Sequence, residues 1–384
     1  MNVQRSGGVV GLDALSAEAL PIVERGVLNE GVFHRMISLE RKRTERSRKP
    51  FLLMLLDLGN RLQSDKSERT LSKILSALSL STRETDVTGW YKEKSVVGVM
   101  FTEFAVDDRN AIAGIMMTRV SETLRSKVSA QEFNQISISF HLFPEEWNHD
   151  IAERPSNPTL YPDLASRDSA KRFSCAIKRI MDTVGSALAL LLFSPLLMVI
   201  ALAVKLTSKG PVFFRQKRVG QYGEQFVFLK FRSMHVNNDA TAHKAFVRQL
   251  IAGGAAGSSS NGNGQTVYKL TKDPRITPVG AFLRKTSLDE LPQFWNVLRG
   301  EMSLVGPRPA IAYEVEAYDI WHRRRVLEAK PGITGLWQVN GRSRIKFDDM
   351  VRLDLRYAKT WSPWMDLKIL MRTPVAVVFG DGAY

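Results

Sequence analysis

The chain reads as an α+β protein of two domains, with a membrane-seeking helix leading the second. Three observations carry that reading. Residues 32–150 alternate helix-like and strand-like segments. An apolar run from Val184 to Val204 is broken at Ser194-Pro195 and has basic residues on both flanks. Beyond it, a mainly helical stretch places an acidic pair among arginines and prolines. A length of 384 residues accommodates two domains. The net charge of +15 favours anions, whether nucleic acid, lipid headgroups or phosphorylated substrates. A nucleic-acid binder driven by charge alone leaves the apolar run unexplained, so no nucleic-acid partner is expected. A single cysteine, Cys175, excludes an internal disulfide and suits a reducing compartment.

Residues 1–31 read as a loose leader without a signal-peptide pattern. Phe33 to Lys49 is a basic helix. Phe51 to Asp57 is a buried strand by its length and bounding residues. Ser67 to Leu80 is an amphipathic helix, Ser95 to Phe101 a strand and Ala111 to Lys127 a helix. Ile136 to Phe140 alternates with the period of two that a strand requires. This order resembles a degenerate diguanylate-cyclase-like (GGDEF) domain. Asp57 closes the first strand, where that family keeps a metal-binding aspartate. The hairpin reads Gly89-Trp-Tyr-Lys-Glu-Lys-Ser95 and lacks the family's acidic pair, so cyclase chemistry is not expected. A generic α+β regulatory or packing domain fits the same order. Residues 151–170, rich in Pro, Ser and Asp, read as a linker, and residues 171–384 as the second domain.

The Val184–Val204 run exceeds the roughly 18 apolar residues that mark a membrane helix. Proline inside a helix removes one hydrogen bond, and in lipid the freed carbonyl needs another partner. The Ser194 hydroxyl can serve its own turn, so a bend is expected at Ser194-Pro195. Lys171, Arg172, Lys178 and Arg179 precede the run; Lys205, Lys209, Arg215, Lys217 and Arg218 follow it. Basic flanks on both sides favour a re-entrant helix, about 180–206, that enters and leaves one membrane face. A kinked spanning helix and a buried soluble helix are the alternatives. Trp361, Trp364, Leu367, Ile369 and Leu370, interleaved with Lys359, Lys368 and Arg372, suit either a headgroup layer or an ordinary core-facing helix. The Gly-rich stretch 252–264 reads as a mobile loop, since it lacks the Lys-Ser/Thr ending of a P-loop.

Asp289 and Glu290 are adjacent, so on an α-helix their side chains diverge by about 100°. They could flank one ion or phosphate, and Mg²⁺ commonly takes one or two carboxylates plus phosphate oxygens. Ser287-Leu-Asp-Glu290 is equally a capping box, with Ser287 as N-cap and Glu290 reaching back. Pro292 leaves helix onset open at Ser287 or Leu291. Arg275, Arg284, Lys285 and Arg308 surround the acids in sequence, and arginine forks match phosphate oxygens. Pro307 and Pro309 fix the backbone about Arg308. Lys230 and Arg232 could bind phosphate or be structural. His235, His322, Trp337 and Trp361 read as surface or packing groups.

From about Lys178 to Tyr384 the chain resembles the bacterial sugar transferases, the monotopic polyprenyl-phosphate phosphoglycosyl transferases. The resemblance rests on Lys178-Arg-Ile-Met-Asp182, Ser194-Pro195, Gly210-Pro-Val-Phe-Phe-Arg-Gln216 and Lys230-Phe-Arg-Ser-Met234. It continues through Leu283 to Gln293, Asn296 to Pro309, and Lys330 to Gln338. The resemblance implies that Asp289 attacks the sugar-linked phosphate of a UDP-sugar, releasing UMP, and that polyprenyl (undecaprenyl) phosphate then takes the phosphosugar. Glu290, beside Asp289, would hold Mg²⁺. Arg284 would orient phosphate, with Lys230, Arg232 and Arg275 as further phosphate candidates, and Pro307, Arg308 and Pro309 would line the nucleotide site. Exopolysaccharide or other surface-glycan synthesis would follow at the bacterial inner membrane, with both domains on its cytoplasmic face. Downstream glycosyltransferases and a second copy of the chain are the other expected partners. A catalytically silent membrane scaffold or nucleotide sensor is the alternative function.

Overall fold

The computed structural model describes residues 27–59, 65–102, 104, 109–145, 158–164, 172–236, 241–251, 259–260, 266–267, 275–341 and 345–379. Most of the expected leader, linker and Gly-rich loop falls outside them. The chain divides into two units, Met1–Phe143 and Pro144–Tyr384. Both mix helix and strand, as an α+β chain should.

The first unit runs α1 (Glu30–Ser47), β1 (Phe51–Asp57), α2 (Asp65–Ser81), β2 (Val87–Lys92), β3 (Val96–Phe101), α3 (Arg109–Lys127), α4 (Ala130–Phe133) and β4 (Ser137–Phe143). Its sheet has the order β2-β3-β1-β4, with antiparallel pairs throughout. β1 is central, and Phe51 to Leu56 are all buried. Leu52, Met54 and Leu56 pack with Ile74, Leu78, Val120 and Leu124 of α2 and α3, each contributing roughly 1.5–3 kcal/mol by burial.

Phe33 of α1 covers the opposite face. It lies over Gly89 and Gly98, which are partners across β2 and β3; a Cβ at Gly98 would sit 2.3 Å from its ring. Strand β2 is the first arm of the hairpin expected at Gly89–Ser95, and it starts at Val87. Leu28 also pairs with Gly89, so this unit includes residues before the expected boundary at 32.

In the second unit, the stretch Pro158–Leu160 is a helical turn, and Leu160, Tyr161 and Leu164 are buried, so the middle of the expected linker is packed. There follow α5 (Arg172–Thr207), β5 (Phe213–Val219), β6 (Gln225–Phe231), α6 (Thr241–Ile251), β7 (Ser259–Ser260), β8 (Thr266–Val267) and α7 (Pro278–Thr286). A 3-10 turn at Leu288–Glu290 leads to α8 (Gln293–Arg299), β9 (Ser303–Val305), α9 (Ala312–Glu316) and α10 (Ile320–Glu328). The chain closes with β10 (Gly332–Thr334), α11 (Leu336–Asn340), α12 (Phe347–Thr360) and α13 (Pro363–Phe379).

Helix α5 carries Pro195 in its interior. Proline has no N–H for the Leu191 carbonyl, and the Ser194 hydroxyl donates to that oxygen instead at 2.7 Å. The span Phe173–Thr207 is long and apolar enough to cross a membrane, and an 18-residue stretch within it has a mean hydropathy of 2.7. Leu191, Leu192 and Met198 are 73%, 74% and 74% exposed, so the described residues leave the middle of the helix uncovered.

Both ends of α5 hold to the same unit. At the first, Lys178 pairs with Asp366 at 2.6 Å and donates to Val305 O. Arg179 donates to Val297 O and Leu298 O at the end of α8, and Asp182 accepts from Ser303 Oγ and Leu304 N at 2.9 Å each. The Lys-Arg-Ile-Met-Asp motif is therefore a docking strip. At the second end, Ile200 and Val204 pack on Phe231 and Leu283. There Arg232 donates to Ser208 O and Oγ at 2.8 Å and lies within reach of Val204 O. A cation on a helix C-terminus is favourable. The contacts described for Arg232 are thus structural, and none reaches the acidic pair.

Candidate active site

The site is assembled from the end of β6, the turn after α7, and the segment after β9. Helix α7 starts as its sequence dictates: Thr277 caps Gly280 N through its hydroxyl, and Pro278 occupies the first turn. Thr277 N also donates to Ser233 O, which fastens α7 to the chain just after β6. Gly280 permits that approach, since a Cβ there would lie 2.0 Å from Ser233 O. Gly280→Ala is expected to cost about 3 kcal/mol, the upper range for overpacking, because the obstructing atom is backbone. A thermal-unfolding comparison with the native chain checks this.

Helix α7 ends at Ser287, whose φ of 56° is left-handed. Its side chain caps nothing, so the capping-box reading of Ser287-Leu-Asp-Glu290 is corrected. The backbone turns there into the 3-10 segment, and Glu290 turns its carboxylate to cations rather than back to Ser287. The two acids sit on a 3-10 turn rather than an α-helix, and they flank one cation, as the sequence allows. Lys230 Nζ lies 2.7 Å from Glu290 Oε1 and 3.7 Å from Asp289 Oδ2, so one ammonium joins both carboxylates. Arg308 approaches the same Glu290 oxygen at 3.4 Å.

Lys230 and Phe228 share one face of β6, and the ammonium stands 5.4 Å from the ring centroid. The Arg218 guanidinium lies 4.9 Å from the same centroid. Burial raises the Asp289 carboxyl above its ordinary range, against the opposing pull of Lys230. Burial would raise Glu290 too, but Lys230 and Arg308 outweigh it and hold that carboxyl at about 2. Two adjacent acids thus have their proton affinities pushed apart, which is how sites assign different roles to like groups. Arg284 also acts on Asp289 by charge. The described contact of Arg275 is through its backbone, which accepts from His235 N.

Sequence reasoning misses Arg218 and Arg325, both buried beside this site. Arg218 reads from sequence as a membrane flank; its position opposite Phe226 in the β5–β6 pair is the signal that could have found it. His322 is buried, accepts from Asp319 N and meets Asp348, so it is a packing group as expected. Trp361 donates its indole N–H to Asp366. Among the described residues no group of three or more His, Cys, Asp or Glu gathers as a metal cage. Asp289 and Glu290 nevertheless share a single cation position, and two carboxylates suffice for Mg²⁺ when phosphate oxygens complete its shell.

Comparison with known proteins bears on the second unit. The uncharacterized sugar transferase of Haemophilus influenzae is 45% identical over 56% of this chain and 44% of its own length. The undecaprenyl-phosphate galactose phosphotransferase of Salmonella typhimurium is 44% identical over 56% of this chain and 43% of its own. This chain therefore spans less than half the length of those two relatives. The exopolysaccharide production protein ExoY of Rhizobium meliloti is 40% identical over 54% of this chain and 88% of its own length. A solved structure, a DGC protein from Thermotoga maritima, matches 32% of this chain and 85% of its own at 18% identity and a TM-score of 0.26, a likeness that carries no argument. The family profile for bacterial sugar transferase matches residues 173–380, and the chain belongs to that family.

Proposed function

We propose that this chain transfers a phosphosugar from a UDP-sugar to polyprenyl phosphate at a membrane surface, as a first step of surface-glycan synthesis. The observation that carries the reading is the Lys230 ammonium bridging Asp289 and Glu290, with Arg308 closing on Glu290. The names of relatives agree: one is an undecaprenyl-phosphate galactose phosphotransferase, another a UDP-glucose:undecaprenyl-phosphate glucose-1-phosphate transferase.

An Asp289 carboxylate oxygen attacks the phosphorus that bears the sugar. The bond from that phosphorus to the bridging oxygen breaks, and UMP leaves with the oxygen. An oxygen of polyprenyl phosphate then attacks the same phosphorus, which frees the Asp289 carboxylate and yields the lipid diphosphate sugar. A carboxylate approaching a diphosphate meets like charge, so neutralisation and positioning must carry the rate. Lys230, Arg284 and Arg308 supply fixed positive charge. A Mg²⁺ held by Glu290 and Asp289 would add Lewis-acid neutralisation of the phosphate oxygens. The raised proton affinity of Asp289 also makes it the more basic, and so the more nucleophilic, of the two carboxylates.

The pH dependence follows from the signs. Asp289 must be ionised to attack, and its folded pKa is raised. Activity is therefore expected to fall on acidification at a higher pH than an ordinary aspartate would impose. Glu290, held at about 2, stays ionised throughout that limb. Lys230 pulls Asp289 downward, so Lys230→Met should move the acid limb to higher pH as well as slow the reaction. Rates between pH 4 and 8 test this; an unmoved limb would place the titrating group elsewhere.

The membrane arrangement we infer is re-entrant. Lys178 to Asp182 and Ile200 to Ser208 grip one unit, while the helix between them is apolar and uncovered. A helix that crossed the bilayer would have to release one of those grips. Tags before Lys171 and after Lys209 should both be shielded from external reagents, and an externally accessible tag would refute it. A panel of UDP-sugars with Mg²⁺ and undecaprenyl phosphate, read by UMP release, tests the reaction itself.

A further inference from the structure

Pro307 and Pro309 flank Arg308, and neither has a backbone N–H to fasten it. The segment is instead held through its carbonyls, four in a row. Gly332 N donates to Pro307 O at 2.8 Å, and Val219 N donates to Ala310 O at 2.9 Å. The two carbonyls between them are taken by side chains. Arg325 Nη2 donates to Arg308 O at 3.2 Å, and Arg218 Nη1 donates to Pro309 O at 2.8 Å.

Both arginines are buried, Arg325 at 4% and Arg218 at 8% exposure. Long cationic side chains are seldom taken out of water without a paired purpose. Arg325 is matched by Asp354, 1% exposed, at 2.8 Å, and donates from Nη1 to the Tyr318 hydroxyl at 3.1 Å. Arg218 also donates from Nε to Gln216 and stacks on the ring of Phe228, the ring that carries Lys230. The Arg308 side chain, by contrast, is 38% exposed and reaches Glu290.

We propose that Arg218 and Arg325 are positioning residues for Arg308: they clamp the carbonyls of Arg308 and Pro309 so that the Arg308 guanidinium is presented, already oriented, to the diphosphate of the donor. This deepens the transferase reading and rests on it. Neither clamp needs to touch substrate. A displacement of about 1 Å at a positioning group can cost on the order of 10²-fold in rate, so remote clamps have leverage.

The test is a double-mutant cycle in the full chain, reconstituted with UDP-sugar and undecaprenyl phosphate. Arg325 and Asp354 are replaced together, as Arg325→Met with Asp354→Leu, because exchanging a buried ion pair for apolar groups is often neutral for stability. Arg308→Ala alone should lower kcat/KM for the donor by about 10- to 10²-fold, the scale of a hydrogen bond to a charged group. The paired variant should unfold at the native temperature. It should raise the donor KM by roughly 10-fold and leave the KM for undecaprenyl phosphate unchanged. Combining it with Arg308→Ala should add no more than about 2-fold, because the clamp acts only through Arg308.

Fully additive losses, or a folded pair variant with a native donor KM, would overturn the proposal. If the pair variant does not fold, the same cycle with Arg218→Met decides by the same criterion. A native chain that releases no UMP from any donor removes the transferase reading and this inference with it. An active native chain with additive losses removes the inference alone.

Discussion

Asp289→Asn is expected to abolish UMP release, with kcat lowered by about 10⁴- to 10⁶-fold, the range seen when a covalent nucleophile or its partner is removed. The amide keeps the size of the carboxylate and loses its nucleophilic oxygen. It should not unfold the chain. Asp289 is 6% exposed and burial opposes its charge, so a neutral amide is easier to bury there. Lys230 keeps its 2.7 Å contact with Glu290, and no buried cation is stranded. Native thermal unfolding with absent turnover is the expected pair of results. Residual turnover within about 10-fold of native would remove Asp289 from the nucleophile role.

Asp366→Ala is expected to give the largest loss of stability, about 3–5 kcal/mol, as when one partner of a buried ion pair is removed. Asp366 is 3% exposed and accepts from three donors. They are Lys178 Nζ at 2.6 Å, the Tyr357 hydroxyl at 2.8 Å and Trp361 Nε1 at 3.1 Å. Without it, the Lys178 ammonium keeps the Val305 carbonyl and the face of the Trp361 ring, 5.7 Å away, neither of them an anion. The dock between α5 and the rest of its unit would loosen. Thermal unfolding of the membrane-reconstituted chain reads the effect. Lys178→Met combined with Asp366→Leu should recover most of the loss, because it removes both charges at once. An Asp366→Ala chain as stable as native would show that the dock is held by apolar packing alone.

The features legible in the sequence are those governed by local pattern. β1 reads from its unbroken apolar run, α2 from its period, and Ser194-Pro195 from the chemistry of a freed carbonyl. Readings fail where a distant partner decides. Ser287-Leu-Asp-Glu290 satisfies every local condition for a capping box, yet Lys230, some sixty residues upstream, takes the Glu290 carboxylate. Gly89 opens the expected hairpin segment, but the need for glycine there comes from Phe33, which only the fold places over it. Lys230 and Arg232 look equivalent by alternation. β6 ends at Phe231, so Arg232 leaves the strand and turns to the end of α5. Arg325 lies in His322-Arg-Arg-Arg325, where nothing local sets it apart from its two arginine neighbours; only the packing of α10 on α12 buries it against Asp354.

The most direct test of the covalent route is a burst experiment without the lipid acceptor. Native chain mixed with its UDP-sugar and Mg²⁺ should release about one UMP per chain and then stop, since the phosphosugar occupies Asp289. The peptide containing Asp289 should gain the mass of that phosphosugar, and added undecaprenyl phosphate should discharge it. UMP that appears only once the lipid is present, with no added mass on that peptide, would mean direct transfer and would contradict Asp289 as the nucleophile.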